Sequence, residues 1–401
     1  MKKKIFLIVI SIFIFSSILY FCFVFLKKDD SKPYVYLKKD DYSFDSKMIQ
    51  QVNKYYENNY IISPYSINVA LNMLKDGTVG TTREEIDSVI SDYSAVPGLD
   101  SANSVFINPM YKNLVLKKYL STIRKKYNGE IFDSIDIKKI NDWVSHKTNK
   151  MIPKMFDSSL NDDNLVVLIN ALAIDAKWEK KFECNYTSKE SFKTNEGKEL
   201  DVSMMHQTLK SGDAFYIDTD DELGIVLPYK KLSKNNLNLE FIGLLPKNDS
   251  IKDYVDSFTD SKIKNIFQNY KKISDDNSVY LSLPMFKNDF EFDKIIPSLQ
   301  ELGMKKVFIP SDELSSMLSC GDCYVSDIVH KSSIDLSENG TKAAASTAVV
   351  INKNSIGGYP DGMEINFNRP FVYMIRDKNT GIIIFFGTVY EPKLWKGSTC
   401  K

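Results

Sequence analysis

The sequence predicts an α+β fold, and three observations carry that expectation. Apolar residues recur at helical spacing through the first half of the chain, whereas the second half alternates with a period of two in run after run. From about residue 43 onward, neither a repeat nor a low-complexity break divides it. Helices gathered early and strands late point to the α+β class rather than to a strand–helix alternation. With 401 residues, 43% of them hydrophobic, the chain is long enough for a substantial core.

The elements follow in order. Lys2, Lys3 and Lys4 precede an uncharged run over residues 5–26, and Lys27, Lys28, Asp29 and Asp30 follow it. As a helix this run spans roughly 33 Å, the thickness of a bilayer core. It is longer than the apolar part of a signal peptide, and no small-residue cleavage site follows. Cys22 also lacks the small residues that precede a lipoprotein site. Residues 1–28 are therefore expected to be an uncleaved signal anchor, with secretion as the outcome if they are cleaved. The leading lysines favour an N-terminus inside, so the remaining chain faces outward. The charged stretch 29–42 reads as a tether, 43–396 as one domain, and 397–401 as a tail.

Within the domain, Pro64-Tyr65-Ser66 opens SINVALNMLKDG, which has apolar 3.6 spacing and a terminal Gly77. Thr81, Thr82, Arg83, Glu84 and Glu85 read as a capped helix start. Later, LGIVLPY, NLEFIGLLP, VYLSLPMF, YVSDIVHKSSIDL, GMEINFN, PFVYMIRD and GIIIFFGTVY read as strands.

Charge and motif content exclude several functions. The 52 basic and 52 acidic residues cancel, which argues against a general polyanion binder and against nucleic acid as a partner. Lys117, Lys118, Arg124, Lys125 and Lys126 read as the solvated face of a helix. The histidines are His146, His206 and His330, and no GxSxG, HExxH, Walker loop or dinucleotide fingerprint occurs, so nothing positive supports an enzyme. Of the five cysteines, Cys320 and Cys323 form a CxxC, read as a local disulfide or two inert thiols. No second pair stands at matching spacing, so zinc is not expected.

Residues 338–371 combine two chemistries. Thr341, Ala343, Ala345, Thr347, Val349 and Ile351 are small or β-branched at alternate positions, as in a buried strand. Residues 352–362 then become rich in Asn, Gly, Pro and Asp, as in an exposed tip. A segment made like an interior strand but displayed as a loop suits a chain that adopts either state. In a strand, those six residues share one uncharged face, while Lys342, Ala344, Ser346, Ala348, Val350 and Asn352 share the other. Small residues at 343–348 pass between paired strands without clash. Gly340 is expected to free the backbone to swing at the start of the segment. From 340 to 354 an extended strand spans roughly 45 Å.

This segment, with AAASTAVVI (343–351) and NRPF (368–371), resembles the reactive loop of inhibitory serpins, and of antithrombin-like members most closely. Serpins are serine protease inhibitors that trap a protease by inserting their own loop into a sheet. Asn59 with Ser63-Pro64-Tyr65-Ser66 resembles the family's NxxxSPxS helix opening. Asn170 with Lys177-Trp178-Glu179 resembles its central strand and breach tryptophan, and YVSDIVHK (324–331) the strand that leads into the hinge.

The resemblance implies several helices packed on three β-sheets, with an exposed reactive loop over about 338–365. It implies a hinge at Glu338, Gly340, Thr341, Ala343, Ala344, Ala345, Ser346 and Thr347. It also implies a shutter of Ser63, Ser66, Asn170 and His330, with Trp178 at the breach. Counted from Gly340, the bait bond is Asn354–Ser355, which suits an asparagine-cleaving protease. Lys353 one residue earlier offers bait to a trypsin-like enzyme, and a site near Tyr359 stays open. The function implied is irreversible suicide inhibition of serine or cysteine endopeptidases by a monomer that needs no cofactor. Its partners would be the target protease and, through residues 5–26, a membrane. Heparin activation is not expected, because TREEIDSVISDY, which resembles the heparin-binding helix, is acidic. Lys342 and Asn339 replace acidic residues common in the family. The alternative is a non-inhibitory serpin used for ligand carriage or as a chaperone, whose hinge would typically hold bulky, charged or proline residues.

Overall fold

The computed structural model describes residues 39, 41–99, 101–157, 160, 165–231, 237–341 and 362–393. They lie in one compact unit, 38–401. The apolar segment 5–26, the tether before Lys39, the loop residues 342–361 and the tail 397–401 lie outside the described residues. Among the described residues, no helix is long and apolar enough to cross a membrane.

The first part of the chain forms α1 (Ser43–Tyr55), β1 (Tyr60–Ile62), α2 (Pro64–Lys75), α3 (Gly80–Val89), β2 (Ser101–Ile107), α4 (Lys117–Tyr127), β3 (Glu130–Phe132), α5 (Ile137–Lys147), β4 (Val166–Leu172) and β5 (Ala176–Lys177). The middle forms β6 (Thr187–Lys193), β7 (Glu199–Leu209), β8 (Phe215–Asp218), β9 (Glu222–Pro228), β10 (Leu239–Pro246), α6 (Ile251–Asp256), α7 (Asp260–Gln268), β11 (Lys271–Lys272), β12 (Val279–Pro284), β13 (Phe286–Glu291) and α8 (Ile295–Glu301). The last elements are β14 (Lys331–Ser337), β15 (Gly340–Thr341), β16 (Met363–Asn366), β17 (Phe371–Asp377) and β18 (Ile383–Val389).

A seven-stranded sheet, β1-β18-β17-β10-β9-β8-β11, forms the centre of the core. Every residue of β10, β17 and β18 is buried, and the charges among their mostly apolar residues include the cross-strand pair Glu240–Arg376. A four-stranded sheet, β16-β12-β7-β6, includes the parallel pair β12–β16. The remaining strands fall into two separately bonded groups, β3-β2-β4 and β13-β14-β15-β5. Only three residues separate β4 from β5, so a single run of chain passes from one group into the other. The third sheet implied by the resemblance is therefore joined at one end and parted at the other. Helix α2 packs against β4 and β18, directly beneath this parting.

The α+β class holds, but the expected order of elements needs correction. Helices α6, α7 and α8 fall among the late strands, while β2, β3 and β4 lie among the early helices. The tether reaches its end sooner than residue 42. Lys39 N–H donates to the Thr380 carbonyl at 2.6 Å, and buried Tyr42 donates its hydroxyl to the Gly381 carbonyl at 2.9 Å. The start of α3 is not capped by its own threonines. Its Ncap is Val79, and the remote Glu313 carboxylate accepts from Thr81 N–H and Thr82 N–H, at 3.2 and 2.6 Å. The run YVSDIVHKSSIDL becomes strand only from Lys331, because residues 324–330 join no ladder among the described residues.

Candidate functional site

The joined end of the parted sheet is built around Trp178. This residue follows β5 directly and is buried, stacked on Tyr229 at 4.5 Å between ring centroids. Its indole N–H donates to the Ser337 carbonyl at 2.9 Å, and its backbone N–H to the Asn339 carbonyl at 3.0 Å. Phe182 N–H reaches the Glu338 carbonyl at 3.0 Å, and Thr187 Oγ1 donates to the buried Glu338 carboxylate at 3.1 Å. These bonds fix the turn between β14 and β15.

Two hinge residues lie inside the sheet. Gly340 pairs with Ser337 on β14 and with Lys177 on β5, while Thr341 pairs with Leu336 and Ala176. Thr341 is buried, and its hydroxyl shares a hydrogen bond with the Tyr229 hydroxyl at 2.5 Å. Thr341 thus faces the core, as its place in the alternation requires. The need for glycine at 340 differs from the one expected. Its φ is +143°, and a Cβ would collide with the Ala176 carbonyl. Gly340 therefore serves close strand approach rather than freedom to swing. Ala343, Ala344, Ala345, Ser346 and Thr347, and the bait residues Lys353, Asn354 and Ser355, lie outside the described residues.

Below β15 the parting opens as a cavity of about 320 Å³. One wall is the edge 165–170 along β4, and the other is 322–330, which leads into β14. Ile67, Leu71 and Leu74 of α2 contribute to its apolar lining, as do Met317 and Leu318. The space lies between the same two edges that continue from β5 and β14, which pair with the two hinge residues above it.

The predicted shutter residues converge where the two walls approach α2. Ser63 is the Ncap of α2, accepting from Ser66 N–H at 3.0 Å and donating to the Ile384 carbonyl at 2.6 Å. The Ser66 hydroxyl donates to Asn170 Oδ1 on the β4 wall. On the opposite wall, Ser63 N–H donates to His330 Nε2 at 3.1 Å, and the Ser332 hydroxyl lies 3.0 Å from the same nitrogen. The start of α2 thus bonds both walls and spans the slot. Burial lowers the His330 pKa to about 4, which leaves Nε2 bare to accept from these donors.

Sequence reasoning missed three members of this cluster. Asn170 Nδ2 donates to Ser101 Oγ at 2.8 Å and to Asn103 Oδ1 at 2.6 Å. Asn103 donates in turn to the Tyr127 carbonyl at 2.8 Å. Ser332 is the third. The available signal was Asn103, an amide placed just before the apolar run Val105-Phe106-Ile107, since a buried amide requires partners. Cys320 and Cys323 form a disulfide, which resolves the alternative of free thiols. Among the described residues no cluster of His, Cys, Asp and Glu suits a metal ion.

The sheet is thus joined at one end, parted at the other and bridged at α2 by a polar cluster. The serpin (serine protease inhibitor) family profile matches residues 40–392, and the chain belongs to that family. An uncharacterized serpin-like protein of Thermococcus kodakarensis is 30% identical over 84% of this chain and 81% of its own length. The leukocyte elastase inhibitor of Xenopus tropicalis is 29% identical, covering 83% and 93% respectively. Among solved structures, the native thermophilic serpin tengpin is 28% identical with a TM-score of 0.71, covering 91% of this chain and 95% of that one. Thyroxine-binding globulin with thyroxine has a TM-score of 0.72 at 22% identity, covering 88% and 98%, a likeness of fold alone.

Proposed function

We propose that this serpin is an inhibitor of the suicide type, acting as a monomer on serine or cysteine endopeptidases. The carrying observation is the seated pair Gly340–Thr341, lined up with a slot that one further strand would fill. Continuing the same antiparallel register brings Ala345 between Leu172 and Ser332, and Thr347 between Asn170 and His330. Asn354 would then reach the level of Cys323. The residues of the expected inward face would follow Thr341 toward the core, since direct neighbours in a ladder share a face.

The chemistry follows from these parts. A protease attacks the bait bond and becomes acylated on the residue before the cut. The freed hinge then continues from Thr341 into the slot, displacing the bonds through which Ser63 and Ser66 hold the two walls. The acylated enzyme is carried roughly 40 Å along the sheet. Its active site is distorted before water can release it. Ligand carriage, as the name of the thyroxine-binding relative denotes for that protein, is the second reading. The small, uncharged inward face at 341–351 favours inhibition instead.

Denaturing gels and mass analysis of the full chain, incubated with trypsin-like, subtilisin-like, asparagine-specific and papain-like proteases, test the reading. A covalent complex with a released fragment starting at Ser355 identifies Asn354 as bait, and one starting at Asn354 identifies Lys353. Clean cleavage without a complex across the panel sinks the inhibitory reading. We further propose that residues 5–26 hold the domain on the outer face of a membrane. Loss of the domain from intact cells treated with external protease is the expected result, and full protection would contradict it.

A further inference from the structure

Resting on the insertion reading above, we propose that the Cys320–Cys323 disulfide is a redox-sensitive latch at the far end of the slot, whose reduction by a dithiol slows loop insertion. The bond closes the turn Cys320-Gly321-Asp322-Cys323, and Cys323 lines the cavity at the start of the 322–330 wall. That wall is held at its two ends. At the upper end His330 accepts from Ser63, and its carbonyl accepts from Phe292 N–H at 2.9 Å. At the lower end Cys323 exchanges two backbone bonds with Ser311, at 3.0 and 3.2 Å, and Val325 N–H donates to the Val307 carbonyl at 2.8 Å.

Just before the turn, Ser319 N–H donates to the Leu114 carbonyl at 2.7 Å. The disulfide therefore ties the anchorage at Leu114 to the anchorage at 307–311. From Ser326 to His330 the wall belongs to no ladder among the described residues. The last residues of an inserting loop would land on the lower part of this edge, with Asn354 beside Cys323. An edge already held at both ends loses little freedom when a strand docks on it. Without the disulfide, the lower anchorage keeps its backbone bonds to Ser311 and Val307 but loses the covalent tie to the Leu114 anchorage. The edge is looser there, and the freedom it gains must be given up on docking, which slows insertion.

The exchange balances as follows. A dithiol thiolate attacks Sγ of Cys320, the less buried of the two residues. The Cys320–Cys323 bond breaks, and Cys323 leaves as a thiolate that takes up a proton. The second thiolate of the reagent then displaces Cys320, leaving two cysteine thiols and an oxidised, cyclic dithiol. The reagent supplies both electrons.

The test compares the oxidised full chain in detergent micelles with the same chain reduced by dithiothreitol and with C320S/C323S. Cys184 is also disulfide-bonded, so the double variant isolates this one bond. Hydrogen exchange of 322–330 in the uncut protein reads the latch without any target protease, and faster exchange is expected in both the reduced chain and the variant. The loop is then nicked by limited proteolysis and the rise in thermal midpoint is followed with time. That rise is expected roughly three- to tenfold more slowly without the bond. Unchanged exchange, or an equal or faster rise, overturns the latch. Absence of any rise in the oxidised wild type would overturn the insertion reading itself, and the latch with it. A failure confined to the redox comparison would leave that reading standing.

Discussion

His330 shows how one side chain couples the sheet to solvent conditions. Its Nε2 faces the donors of Ser63 and Ser332, so protonation would replace an acceptor with a donor aimed at other donors. Its folded pKa of about 4 lies below the ordinary 6.5. Above pH 6.5 neither the folded nor the unfolded chain binds this proton, and the term vanishes. Between pH 6.5 and 4 the unfolded chain binds it first, so stability falls with pH by up to about 3 kcal/mol from this group. Denaturant midpoints of wild type and His330→Gln, measured from pH 7 to 4.5, isolate the contribution. The wild type is expected to lose more stability over that range than the variant, and equal slopes would remove His330 as the cause. Gly340 teaches a complementary lesson. The sequence pointed to glycine for mobility, yet its Cβ-free face is needed because β5 passes so close. A backbone neighbour 163 positions away in the chain leaves no local signal.

At the scale of elements, the proposed insertion would place one strict requirement on the loop, an uncharged inward face. In the continued register, position 345 meets Leu172 and Ser332, both buried. Ala345→Glu would carry an unpaired carboxylate there, at several kcal/mol. With an inhibited protease, the covalent band is expected to disappear in favour of cleaved product, while the unfolding midpoint of the uncut protein stays unchanged. A persistent complex would refute insertion through this slot. The same contrast explains what could be read beforehand. Strands β10, β17 and β18 were readable because burial of every residue selects mostly apolar runs, with only Glu240, Arg376, Asp377 and Thr388 as polar or charged exceptions. The two-residue strands β5 and β15 carry no such pattern, since their pairing is imposed by the Trp178 clamp and the Glu338 turn. The run 324–330 has strand composition without a strand partner, so pattern alone placed the start of β14 too early. Ser63, Ser66, Asn170 and His330 were named through resemblance. Asn103 and Ser332 complete the cluster by geometry that spacing cannot encode.

The whole molecule combines these parts into a question of stored free energy. Among the described residues no strand lies between the edge at 324–330 and the edge of β4, and a cavity of about 320 Å³ with a largely apolar lining runs between them. The chain itself carries a matching strand immediately after Thr341. On the proposed reading, its connection to β16, a strand paired in parallel with β12, would keep it from the slot until that connection is cut. Cutting that connection removes the restraint without altering any residue of the core. Each new ladder bond then contributes about 0.5–1.5 kcal/mol net, and about a dozen can form. Burial of Val349 and Ile351 against the lining adds to this. Ordering the strand offsets part of the gain. The balance predicts that the nicked protein, both fragments retained, melts at least about 10 °C higher than the uncut chain. Scanning calorimetry before and after cleavage reads this directly, with size exclusion confirming that the C-terminal fragment stays bound. Equal midpoints would mean that the uncut fold stores no strain, and the slot would then be better explained as a ligand cavity than as the seat of a strand.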